Sequence, residues 1–82
     1  MNLSLVKLKQ GEQGKILDFK GGQSFQDKLL ARGIRPGKIV TKISEAFMGG
    51  PVTIKVDNCN IALGYRMAAR VRVEVDEEVE VK

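Results

Sequence analysis

Cys59 is the only thiol in the sequence, and the chain has no histidine to activate it. A nucleophilic cysteine needs a base at its side, so Cys59, in the turn Asp57-Asn58-Cys59-Asn60, reads as a small apolar filler. Without histidine, general acid–base chemistry would fall to carboxylates, lysines, the tyrosine or this cysteine. Asp18, Asp27 and Asp57 sit at separate strand and turn positions, where nothing pairs them as acid and base. Soft metal sites need clustered Cys and His, and hard sites need clustered oxygens. The one oxygen-rich run, "EVDEEVE" at 74–80, reads as a solvated strand edge. The stretch "GEQGK" at 11–15 has glycines too close together for a phosphate loop, and Ile16 stands where that loop needs a hydroxyl. It reads instead as a turn feeding a strand. The expectation is a chain that is not an enzyme and holds neither cofactor nor metal. It should act by touching another macromolecule.

The elements that would position such a contact are mostly strands. "GKILDF" (14–19), "GKIVTKIS" (37–44), "VTIKV" (52–56), "NIAL" (60–63) and "RVRVEV" (70–75) carry the apolar runs and period-2 alternation of short strands. Val52, Ile54 and Val56 share one face, as do Val71, Val73 and Val75. Glycine, proline and Asp-Asn pairs punctuate the strands, a pattern that favours a small barrel or sandwich over any βαβ unit. Between the first two strands lies one short helical stretch, "SFQDKLLARGIRPG" (24–37). Ser24 is placed to cap it and Gly33 to end it, and Pro36 forbids a restart. Eight or nine residues cannot hold a helix alone in water, where about 12–15 are marginal. Phe25, Leu29 and Leu30, with Ile34 after the turn, must therefore dock into the barrel and plug one of its ends. "LGYRMAAR" (63–70) reads as one irregular turn into the last strand. The expected fold is all-β, a small, partly open barrel of about five strands with one short α-helix. Residues 1–82 are expected to form one domain.

Charge and hydropathy limit the partners. Residues 1–73 hold 13 Lys and Arg against 5 Asp and Glu, a net of +8, whereas 74–82 carry −4. The basic body suits an acidic protein, a nucleic acid or anionic headgroups. A lone cysteine suits a reducing compartment, and the absence of a long apolar run or leader-like start points to the cytoplasm. Two surface features stand out. Lys28 and Arg32 are one helical turn apart on the face away from the core, with Arg35 following, a basic strip for an acidic or phosphate-bearing partner. Phe47 and Met48 precede a Gly-Gly-Pro turn, where apolar side chains either contact a partner or fold back over the barrel end. An RNA-binding module is the main rival, but Phe19, Phe25, Phe47 and Tyr65 are the only aromatics available to stack on bases. Self-association through strand edges stays open.

Taken in order, several segments resemble the FeoA family from about Leu5 to Val75: Leu5, Leu8, Gly11, Gly14 and Ile16 at the start, then "KLLARGIRPGKIV", then "GGPVTIKVDNCNIALGYRMAARVRV". Leu63 and Ala68 match the Leu and Ala of the family's closing hairpin. Arg32 replaces the apolar residue usual before the helix-ending glycine, and Gly64 replaces an Arg usual after the leucine, so the contact surface differs. The resemblance implies an SH3-like, partly open β-barrel with one helix, and a non-catalytic cytosolic accessory of bacterial ferrous iron uptake. It would bind the cytoplasmic part of the Fe(II) transporter FeoB, which carries a GTPase domain, and so be recruited to the inner face of the membrane. A similar domain ends metal-responsive repressors, so a metal-regulatory role is an alternative reading.

Overall fold

Because the apolar residues alternate along strands and cluster only once with helical spacing, the chain must close strands around a core and lay a helix on it. The computed structural model describes residues 1–46 and 48–75 and shows that arrangement. The elements run β1 (Asn2–Ser4), a 3-10 turn (Leu5–Lys7), β2 (Gln13–Phe19), α1 (Gln23–Ala31), β3 (Ile39–Glu45), β4 (Val52–Val56), β5 (Cys59–Leu63), α2 (Tyr65–Ala69) and β6 (Val71–Glu74). The six strands form one antiparallel sheet in the order β1-β6-β2-β3-β4-β5. Register shifts between Ile16 and Asp18 and between Lys42 and Ser44 mark bulges, which bend the sheet toward a barrel. Among the described residues, the two outer strands, β1 and β5, are the edges of this sheet.

The core follows the sequence pattern closely. Val52, Ile54 and Val56 are buried with Leu63, Val71 and Val73, while Lys55 between them is exposed. Val56 and Cys59 close a two-residue hairpin whose turn residues, Asp57 and Asn58, have φ of 53° and 66°. That is the conformation asparagine and aspartate tolerate best and the one that matches strand twist. β1 was not read from the sequence and adds to the expected strands. It pairs with β6 from Asn2↔Glu74 to Ser4↔Arg72, and beyond it the Met1 ammonium donates to the Val75 carbonyl at 3.0 Å while the Val75 amide donates to Met1 at 2.9 Å. The irregular turn expected at 63–70 is the five-residue α2, fastened to β1 by Ser4 Oγ donating to the Ala69 carbonyl at 3.0 Å.

The docked helix is present, with one correction at its start. α1 begins at Gln23, and Gly22, not Ser24, is the N-cap. Ser24 lies inside the first turn, and Asp27, which a capping box would have used, instead accepts from Gln23 Nε2 at 2.9 Å. The helix end is as expected. Gly33 has φ of 86°, its amide donates to Leu30 at 2.9 Å, and the Ile34 amide donates to Leu29 at 3.0 Å. These are the two bonds of a Schellman motif, sealed by the full burial of Leu29 and Ile34. Phe25 is half-buried against the same core. A Cβ at Gly33 would meet nothing within 4 Å, so Gly33→Ala isolates backbone strain. We expect it to cost about 1–2 kcal/mol, the penalty of a left-handed residue with a side chain. Thermal unfolding should show this as a drop of several degrees, since about 4–8 °C accompanies each kcal/mol in a domain this small.

Candidate interaction surface

Among the described residues Lys42 is the one charged residue buried in the core, 3% exposed, and sequence reasoning did not single it out. It sits on the same inward face of β3 as Val40, where a methyl-rich side chain would be expected. Its ammonium has three protons and meets three acceptors: the Leu8 carbonyl at 2.8 Å, the Val6 carbonyl at 3.0 Å and a Glu45 carboxylate oxygen. Val6 and Leu8 belong to the end of the 3-10 turn, whose carbonyls have no partner within the turn. The backbone reinforces the tie, with Gly11 donating to Lys42 at 2.7 Å and Lys42 to Glu12 at 3.1 Å. Lys42 thus clamps residues 5–12 onto β3. The only sequence signal was the alternation Val40-x-Lys42 itself.

Beside this clamp a shallow groove runs between Leu8, Lys9 and Gln10 on one side and Glu45, Ala46 and Met48 on the other. Met48 stands at its rim, 97% exposed, with φ of 58°. Of the two readings of this side chain, the structure has it in solvent rather than over the core. Phe47 lies outside the described residues. Among the basic residues singled out, Lys28 and Arg35 are exposed. Arg32 is exposed too, but it is not a free member of a strip, because its Nη1 donates to the Ala62 carbonyl on β5 at 3.1 Å. The register aligns Glu45, Val52 and Leu63, so Ala62 lies beside the row from which the Met48 loop projects. Arg32 and Met48 therefore share one end of the β3-β4-β5 sheet.

Elsewhere the cations are partly spoken for. Lys38 pairs with Asp57 at 2.7 Å, and Arg70 lies over the Phe25 ring at 5.4 Å from its centroid. Arg72 grips Asp18 with both prongs, Nε to Oδ1 at 2.7 Å and Nη2 to Oδ2 at 2.9 Å. These hydrogen bonds hold the Asp18 carboxyl below its ordinary 3.8, helped by the charges of Arg72 and Lys20 and opposed by partial desolvation. Because the folded value is depressed, the pair's contribution to stability is present above the ordinary carboxylate range and is lost as pH falls through the folded value. An NMR titration of the side-chain carboxyl should place the Asp18 midpoint below 3.8, and Arg72→Gln should move it back up. Among the described residues no group of three or more His, Cys, Asp or Glu is gathered to hold a metal ion. No helix among them is long and apolar enough to cross a membrane.

Six antiparallel strands, bent by two bulges and carrying the docked helix α1, make a small SH3-like barrel. The FeoA domain model matches residues 3–75, and the chain belongs to that family. A solved iron uptake regulatory protein, FeoA, is 28% identical and superposes with a TM-score of 0.81, covering 90% of this chain and 96% of that one. Iron(II) transport protein A from Clostridium thermocellum is 30% identical, with a TM-score of 0.83 over 89% of this chain and 45% of its own. IdeR from T. acidophilum shares the fold at 21% identity and a TM-score of 0.79, with 92% of this chain lying on 34% of that protein. Among curated proteins no significant match is found.

Proposed function

We propose that this chain is a non-catalytic accessory of ferrous iron uptake. It binds the cytoplasmic part of the FeoB-type Fe(II) transporter and tunes its assembly or activity from the inner face of the membrane. Family membership and likeness to proteins of iron uptake support the process. The observation that carries the contact is Met48, a large apolar side chain held almost wholly in solvent at a loop tip. Such a side chain gains most when a partner covers it, and methionine adapts to the shape it meets. The groove beside it supplies Lys9, and the same sheet end supplies Arg32, so the surface suits an acidic partner with an apolar anchor. Lys28 and Arg35 extend this cationic flank in the proposal. Fe(II) is the transporter's cargo, and this chain is not required to carry it.

The test replaces Phe47 and Met48 together with Ser. We expect a folded protein, ferrous iron uptake in cells reduced to near that of a deletion strain, and loss of co-purification with the transporter from membranes. A folded double variant that sustains normal uptake removes the loop from the interface.

A further inference from the structure

The β5 edge carries a second binding feature. Among the described residues, the outer strand β5 pairs with another strand on one side only. The Val56↔Cys59 pair closes the hairpin, so Cys59, Ile61 and Leu63 face β4 with their backbone groups while Asn60 and Ala62 turn theirs outward. Cys59, Asn60 and Ala62 are exposed, and no proline or charged residue interrupts the strand. Natural edges are ordinarily blunted by such residues. The one group occupying the edge among the described residues is the Arg32 guanidinium, bonded to the outward Ala62 carbonyl.

We propose that β5 accepts an extended, acidic segment of a partner protein as an added strand, with Arg32 as its displaceable cover. A neighbouring strand would bond to the amides and carbonyls of Asn60 and Ala62, as in β-augmentation. It must take the Ala62 carbonyl from Arg32. A carboxylate on the incoming strand offers the freed guanidinium a better, charge-assisted partner than a carbonyl. The surroundings favour that sign of charge: Lys28 is one helical turn before Arg32, Lys55 lies across from Asn60, and the nearby Asp57 is already engaged by Lys38. This reading requires neither the iron-uptake proposal nor the Met48 loop, and shares with that surface only Arg32 and its flanking Lys28.

The probe is the capped heptapeptide Thr-Val-Thr-Glu-Val-Thr-Val, compared with versions bearing Lys or Thr in place of Glu. Titrated into the isotopically labelled protein, the Glu peptide should move the Asn60 and Ala62 amide signals first and slow their hydrogen exchange. It should bind about two- to fivefold more tightly than the Lys peptide, the range an exposed ion pair supplies. Arg32→Ala should reduce that preference to the remainder that Lys28 and Lys55 supply, and strengthen binding of the Thr peptide, because the edge is then uncovered. Unmoved Asn60 and Ala62 signals, or a preference undiminished by Arg32→Ala, would overturn the proposal. So would concentration-dependent shifts of the same two amides without peptide, which would assign the edge to a second copy of the chain.

Discussion

Leu29→Asp leaves no cooperatively folded protein. Leu29 is fully buried, accepts the Ile34 amide that seals the helix end, and is the anchor by which α1 joins the barrel. Truncating a buried leucine to alanine already costs about 2–5 kcal/mol. Aspartate adds a charge with no partner in the core, which must either stay ionised at heavy cost or be protonated. A domain of 82 residues has a total margin of only about 4–12 kcal/mol at 0.05–0.15 kcal/mol per residue. The nine-residue helix has no independent stability to fall back on. Circular dichroism melts and gel filtration check this: a folded, monodisperse Leu29→Asp would show that α1 is an ornament on the barrel. Leu29→Ala should remain folded and melt at a markedly lower temperature.

The second large effect belongs to Lys42. Lys42→Ala removes three hydrogen bonds and the buried stem beyond Cβ, and it leaves the Leu8 carbonyl unpartnered in the interior. Breaking a buried ionic network by deleting one partner costs about 3–5 kcal/mol. Glu45 is more open to water than Lys42 and can recover part of its hydration, which places the expectation at the lower end of that range. Lys42→Met separates the contributions, since it keeps the stem and loses only the ammonium. It should fall between wild type and Lys42→Ala in urea unfolding, with the slope unchanged. Amide exchange of Leu8 and Gly11 should accelerate in both variants, because the segment they belong to is the one the lysine fastens. Equal stability of all three proteins would mean that the backbone bonds of Gly11 and Glu12 suffice.

How much of this could be read from residue order varies with the physics of each element. β4 was legible to the residue, because strict alternation between Val52 and Val56 can only be satisfied by a strand with one face in the core. The end of α1 was equally legible, since Gly33 and Pro36 act through local backbone geometry. Its start shifted because Gly22 took the extended cap conformation and Gln23 claimed the Asp27 carboxylate. β1 was hidden: three residues carry almost no periodic signal, and their pairing with β6 depends on contacts some seventy residues away. Lys42 was hidden for a related reason. A lysine on an inward face makes sense only once the carbonyls of a remote turn are known to arrive there. At the candidate surface, the exposure of Lys28 and Arg35 followed from position alone, whereas position before a Gly-Gly-Pro turn left Met48 open between solvent and core. The bond from Arg32 to β5 did not, because it joins two elements thirty residues apart.

The paired hydrogen bonds between Met1 and Val75 have a practical corollary. They hold the first and last described residues side by side, so a brief glycine-rich linker could join them without disturbing the sheet. New ends could then be opened at the exposed Asp57-Asn58 tip, giving a circular permutant with the same core. Cargo fused at Met1 or directly after Val75 would hang from a single corner of the barrel. Reopened at the hairpin, the same barrel would present its cargo beside β5, turning the position of an attachment into a ruler for which faces a partner occupies.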